Sequence, residues 1–189
     1  MSERIGEIIE ANTNSFIVQC YKLYESPPLG SIIQSGTPTI FGVISEITTE
    51  PLDPSRPIIA IGHDEPTEDE IYRSNPQLNN LLCTRLTSLT IGYSDGDNVY
   101  HGFPPHPPKI HSFVYLSGNH NIESLAKSFD FLHLLLSSGA GDEVISACLR
   151  QISQRVQDGY TFLVESGQAL ATELVGQFPR LNAILRRLS

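Results

Sequence analysis

Short apolar runs alternate with turn residues over the first part of the chain. Four runs lie at residues 4–10, 15–20, 30–33 and 41–47, and each is rich in Ile, Val or Phe. Asn-Thr-Asn, Ser-Pro-Pro and Ser-Gly-Thr-Pro sequences separate them. Short strands at a spacing of about 8–12 residues are typical of a sandwich or barrel and not of alternating strand–helix units. The pattern predicts a small closed β-barrel.

A second apolar stretch interrupts this pattern. Residues 57–62 are continuously apolar, which predicts a strand buried on both faces. Residues 64–80 form a polar insertion with a helical turn at 68–73, and the β pattern resumes at 81–93. The remaining predicted elements of this half are a hairpin turn at 94–97, an extended Pro-rich segment at 103–108 and a last short strand at 113–116.

The hydrophobic period changes from two to about 3.6 near residue 121. Apolar residues at this spacing predict one amphipathic helix over residues 122–136, which the Ser- and Gly-rich segment after it ends. A second helix is predicted to begin at Asp142, with a break at residues 158–159. Pro179 suits the first turn of a final short helix.

The predicted fold class is therefore α+β, with a β-barrel of about six strands in residues 1–120 and a helical region in residues 121–189. The terminal helices carry more apolar side chains than a short helical region can readily bury. These are Leu170, Leu174, Leu181, Ile184, Leu185 and Leu188. They indicate either a protein contact surface or a cover for the open face of the barrel.

Charge is unevenly distributed and excludes one class of partner. The formal net charge is −9, and residues 1–140 hold 16 acidic but only 7 basic side chains. An acidic cluster occupies residues 64–70. Nucleic acid backbones are bound mainly through Lys and Arg, so we expect no direct nucleic acid binding. A basic protein partner fits better, although a cluster of this kind also suits a solvated loop.

Cysteine usage and hydropathy bear on the compartment. Cys20, Cys83 and Cys148 are widely spaced and match neither a zinc spacing nor a disulfide framework, so each is expected to be a buried core residue. Residues 1–4 lack an apolar signal region, and the longest apolar stretch, residues 129–136, is too short to cross a bilayer. We expect a cytoplasmic protein without membrane contact.

The β segment resembles the HAS barrel, the small barrel shared by HerA-type DNA translocases and the N-terminal part of ATP synthase α and β subunits. The resemblance covers about residues 4–135. The segments that carry it are Ile5-Gly6-Glu7-Ile8, the turn at Gly30, Phe41-Gly42-Val43-Ile44-Ser45-Glu46-Ile47, Leu89-Thr90-Ile91-Gly92-Tyr93, Phe103-Pro104-Pro105-His106-Pro107-Pro108 and Phe113-Val114-Tyr115. In that family a nucleotide-binding domain follows the barrel, and barrels contact one another in rings.

The sequence departs from that family in the residues needed for ATP hydrolysis. It contains no Gly-Lys dipeptide, which a phosphate-cradling loop requires. We therefore expect no enzyme activity and no cofactor. The resemblance implies a non-catalytic interaction or assembly module, an adaptor for a HerA-type ATPase or a nuclease, or a self-associating subunit.

A metal-dependent enzyme is the alternative interpretation. His101, His106 and His111 follow one another at five-residue intervals in the Pro-rich region. Three imidazoles in one loop could hold zinc or nickel if the loop folded back. Against this, helical metal sites use spacings of about three or four residues, and no Cys or carboxylate lies between these histidines. They are weak candidates, and exposed loop histidines explain them as well.

Overall fold

The computed structural model describes residues 4–96 and 98–188. Within these residues the fold is α+β, with seven strands in one antiparallel sheet and seven helices. The strands are β1 Arg4–Ala11, β2 Ser15–Cys20, β3 Ile32–Ser35, β4 Thr39–Pro51, β5 Leu82–Asp95, β6 Asn98–Tyr100 and β7 Phe113–Leu116. The helices are α1 Glu68–Ser74, α2 Leu78–Leu81, α3 Asn119–Leu125, α4 Asp130–Ser137, α5 Asp142–Ser153, α6 Gly159–Glu173 and α7 Phe178–Leu185.

Strand pairing in the sheet is ring-like. The order is β2-β1-β7-β3-β4-β5-β6, and β2 also pairs with β5, so the pairings return to their starting point. Gly6 lies opposite Cys20 in the first hairpin, and Ser15 lies opposite Leu89 where β2 meets β5. Only β6 stands outside the ring, on β5. The α+β class is confirmed, and closure into a six-stranded barrel stays a prediction.

Two apolar clusters lie on opposite faces of the sheet because side chains of a strand alternate between its faces. On β4, Ile40 and Ile44 belong to one cluster, together with Ile8 and Val18. Phe41 of the same strand belongs to the other cluster, which the helices share with the sheet.

The cluster shared with the helices crosses the predicted boundary at residues 120 and 121. It joins Phe41 and Ile91 of the sheet to Leu132 and Leu149 of the helices, and all four side chains are fully buried. The sheet and the helical region therefore share one core.

Most of the terminal apolar side chains belong to this core. Leu170, Leu174 and Ile184 are buried, and Leu181 and Leu188 pack against the same cluster, while Leu185 is half-buried outside it. Of the two alternatives, this burial favours a cover for the sheet over a contact surface, and closure of the sheet as a barrel stays a prediction. Apolar count alone does not show which side chains meet the sheet.

The predicted helix over residues 122–136 is also wrong, because the structure has two helices there, α3 and α4. The hydroxyl of Ser128 accepts a hydrogen bond from the Asp130 amide at 3.2 Å, which favours a new helix start at that point. The predicted starts of the later helices are confirmed. Gly141 caps α5, the Asp158 carboxylate caps α6, and Pro179 lies in the first turn of α7.

Candidate interaction surface

The connection between β4 and β5 projects from the sheet as an arm, which we define as residues 51–82. The two strands stay paired as far as Pro51 opposite Leu82, and the Leu52 amide then donates to the Leu81 carbonyl at 2.8 Å. None of the residues 51–82 is buried. The arm therefore has no core of its own.

Local hydrogen bonds hold the arm in shape. The Thr67 hydroxyl accepts from the Glu70 amide at 3.3 Å and caps α1, whose position confirms the predicted helical turn. The side chain of Ile71 lies against Gly62, where a Cβ would collide with it. An Asx turn at Asp53 orders the opposite side, since its carboxylate accepts from the Ser55 amide at 3.0 Å.

Two tyrosines attach the arm to the rest of the sheet. Tyr24, in the connection after β2, meets Tyr72 of α1 edge to face, with ring centroids 6.1 Å apart and hydroxyl oxygens 2.5 Å apart. The Tyr24 amide donates to the Thr84 hydroxyl at 2.9 Å. The hydrogen bond with Tyr24 raises the pKa of the Tyr72 phenol. These contacts fix the orientation of α1 relative to β5.

The arm exposes an apolar groove. Ile58, Ile59 and Ile61 are 61, 72 and 42% exposed, and Leu52 and Leu81 stand beside them. The groove these residues line has a volume of about 460 Å³. Residues 57–62 form no strand, so the predicted strand buried on both faces is wrong. An apolar run shows that burial is favourable, but not that this chain supplies the covering surface.

The segment that follows the groove residues in sequence is acidic. Asp64 has a side chain that is 98% exposed, and Glu65, Glu68 and Asp69 follow it along the arm, outside the lining of the groove. The arginines of the arm are already paired with acids, Arg56 with Asp53 at 3.4 Å and Arg73 with Glu70 at 2.9 Å. The arm thus carries an apolar groove and a separate acidic segment.

The three candidate histidines occupy different surroundings. His101 is half-buried and packs against Phe131 with ring centroids 6.3 Å apart, and burial lowers the pKa of its imidazole. His106 and His111 line a groove of about 700 Å³ beside the Pro-rich segment. His111 is paired there with Glu7, Nδ1 to Oε2 2.6 Å.

No group of three or more His, Cys, Asp or Glu side chains within residues 4–96 and 98–188 is placed to hold a metal ion. The geometry therefore adds no support to the metal-enzyme interpretation.

The cysteines lie in the interior, as predicted. Cys20, Cys83 and Cys148 are free thiols and all three are buried. Burial raises the pKa of Cys20 to about 11 and that of Cys148 to about 12. A nucleophilic thiol needs a lowered pKa, so these two environments oppose thiolate chemistry.

Comparison of the sequence with protein-family models and with curated proteins finds no match. Among the helices of the described residues, none is both long enough and apolar enough to pass through a bilayer.

Proposed function

We propose that this protein is a non-catalytic interaction module that docks one partner protein through the arm. The observation that carries the proposal is an arm of residues 51–82 without a buried residue, which nevertheless holds Ile58 and Ile59 in a defined groove. Fully burying an isoleucine is worth about 1.5–3 kcal/mol, so leaving both exposed forgoes a large stabilisation. A partner surface would recover it.

The charge of the arm determines the class of partner. Asp64, Glu65, Glu68 and Asp69 follow the apolar run of residues 57–62 along the arm. A second copy of the chain would bring the same acidic segment against itself at a net charge of −9 per copy. The partner is therefore a different protein, with an apolar ridge flanked by Lys and Arg.

The resemblance to the HAS barrel indicates which kind of complex the module would join. The ring-like pairing of β1, β2, β5, β4, β3 and β7 supports a six-stranded HAS-type barrel as the platform that carries the arm. On this proposal the module is an adaptor of a DNA-processing assembly, and a HerA-type ATPase or a nuclease is the partner. The motor is then supplied by the partner, since this sequence has no Gly-Lys phosphate loop.

Site-specific photocrosslinking tests the proposal in the native host. A photoreactive amino acid at position 59 should give one adduct with a different protein, joined at a segment that contains apolar and basic residues. The matched control carries the same group at Tyr160 of α6, which is 80% exposed but lies outside the arm. The control should not give this adduct. Added salt should reduce the yield from position 59, because it screens the attraction between the acidic segment of the arm and a basic partner.

Three outcomes would contradict docking through the arm. They are an adduct made only of two copies of this chain, the same adduct from position 160, and no adduct from either position.

The double variant I58S/I59S provides a second check. It should lose the adduct formed from a photoreactive group at position 61 but melt at the wild-type temperature. A melting point lowered by several degrees would mean that these side chains stabilise this chain itself.

A further inference from the structure

A second feature lies away from the arm, where β1 begins and β7 ends. A cleft of about 870 Å³ there is lined by three cationic side chains, Arg4, Lys22 and Arg155. The whole chain has 12 Lys and Arg residues and a net charge of −9. A quarter of its cations therefore converge on one cleft, although the molecule as a whole is acidic.

Backbone pairing brings these cations together from distant parts of the sequence. Arg4 on β1 lies opposite Tyr115 on β7. The Tyr21 amide donates to the Ile5 carbonyl at 3.0 Å, which places Lys22 beside the start of β1. From the helical side, the Arg155 guanidinium donates to the Ser117 carbonyl at 3.1 Å, just after β7.

The two arginines are oriented before any ligand arrives. Arg4 lies over the Phe113 ring at 4.0 Å from its centroid, and Arg155 is held by Ser117 and half-buried. A guanidinium has five N–H donors, so the bond from Arg155 to Ser117 leaves capacity for anionic oxygens. The Ser117 hydroxyl is buried at the same place and has no hydrogen-bond partner among the described residues.

The other walls indicate what else the ligand carries. Ile5, Pro27 and Leu116 give the cleft an apolar side. Glu25 is the acid of the lining, and it pairs with Lys22 at 2.9 Å while both side chains stay more than half exposed. Exposed pairs of this kind are worth little, so a phosphate could replace the carboxylate at Lys22.

We propose that this cleft binds a small phosphate-bearing molecule with an apolar part, held by Arg4, Lys22 and Arg155. Arginine forks match phosphate oxygens in geometry, and lysine adds a compact charge. The volume lies within the range of about 300–1,000 Å³ that small-molecule sites occupy. The site is separate from the arm, and it stands whether or not the arm docks a partner.

Calorimetric titration of the full chain with phenyl phosphate at low ionic strength tests the site. The variants R4Q and K22Q should each weaken binding by about tenfold, since each removes a charge-assisted hydrogen bond. E25Q should strengthen binding, because it removes a negative charge from the cleft. R56Q is the matched control, a cation of the arm, and should bind like the wild type. Inorganic phosphate should bind more weakly than phenyl phosphate because it cannot use the apolar wall.

The affinity of E25Q for phenyl phosphate should rise, whereas that of R4Q and K22Q should fall. This difference controls for misfolding, because a variant that merely misfolds cannot bind more tightly. No binding, or equal binding by the wild type, R4Q and K22Q, would overturn the proposal. Equal affinity for inorganic phosphate and phenyl phosphate would overturn the assignment of the apolar wall. Binding of a hexaglutamate peptide without binding of phenyl phosphate would overturn the proposal of a phosphate site. The cleft would then be a site for an acidic protein segment.

Discussion

Gly42 is a position where the sheet accepts no side chain. A Cβ there would lie 2.7 Å from the Phe16 ring and would collide with the Ser88 hydroxyl, and both neighbours are buried. Gly42→Ala should therefore destabilise the fold by about 1–3 kcal/mol, the usual cost of overpacking. Gly102→Ala is the control, since nothing lies within 4 Å of its added Cβ. Urea unfolding of both variants measures the difference, and equal stability would refute the close packing at Gly42.

The Glu7 carboxylate should show an acid-dependent contribution to stability. Hydrogen bonds with His111 and then with Tyr21 hold its pKa below the usual 4.5. A lowered folded-state pKa means that the stabilisation is present above about pH 4.5 and is lost as the pH falls through the folded value. In His111→Ala the pKa of Glu7 should move back toward 4.5, which carboxyl NMR titration measures. An unchanged titration would show that His111 does not act on Glu7.

Residue-level chemistry was partly accessible from the sequence. Burial of Cys20, Cys83 and Cys148 was predicted because small apolar thiols in apolar runs favour the interior. The sequence does not predict the pairing of His111 with Glu7, because these residues are far apart in sequence and meet only through the contact of β1 with β7. The cationic cleft was missed for the same reason.

At the scale of elements, the arm should be removable. Replacing residues 52–81 with Asn-Gly would join strands that are already paired at Pro51 and Leu82, and a two-residue turn suits such a hairpin. Because the arm buries no residue, the free energy of unfolding should change by only about 1 kcal/mol, mostly from loss of the Tyr24–Tyr72 contact. Denaturant unfolding checks this. A shortened chain that cannot fold would show that the arm is part of the core structure.

The hydrophobic period predicts most helices and strands. The predictions from it are wrong where contacts between distant segments or a local backbone hydrogen bond determine the structure. The last strand, predicted at 113–116, is β7 as observed. Residues 57–62 read as a buried strand because they are continuously apolar, but they pair with no strand of the sheet and are exposed. The break between α3 and α4 was hidden because the apolar spacing continues across it, while Ser128 redirects the backbone.

At the scale of the whole molecule, the shared core should make unfolding cooperative. Leu132 is fully buried between the helices and the sheet. Leu132→Ala should cost about 2–5 kcal/mol and should lower the stability of helices and strands together. Tyrosine fluorescence, to which six of the seven tyrosines contribute from residues 1–120, and helical circular dichroism should give coincident transitions. Two separate transitions would show that residues 121–189 fold as an independent domain.

Thiol labelling gives an independent measure of the same cooperativity. Cys148 is fully buried in the shared core, and its pKa is raised to about 12. Its reaction with a thiol reagent should therefore occur only through global unfolding and should be accelerated by Leu132→Ala. The native chain should show no fast reaction at this position. Rapid labelling of Cys148 without unfolding would contradict a single core.

The ring-like order of strands has a consequence for synthesis. The β1–β2 hairpin can form as soon as it leaves the ribosome. Pairing of β1 with β7 is possible only after about 100 more residues have been synthesised. At a translation rate of about 5–20 residues per second, β1 lacks this neighbour for roughly 5–20 s. Ile8 and Val18 have no complete core to enter during that time. Completion of the ring therefore depends on a long-range contact, the docking of β7 between β1 and β3, and contacts of this kind slow folding.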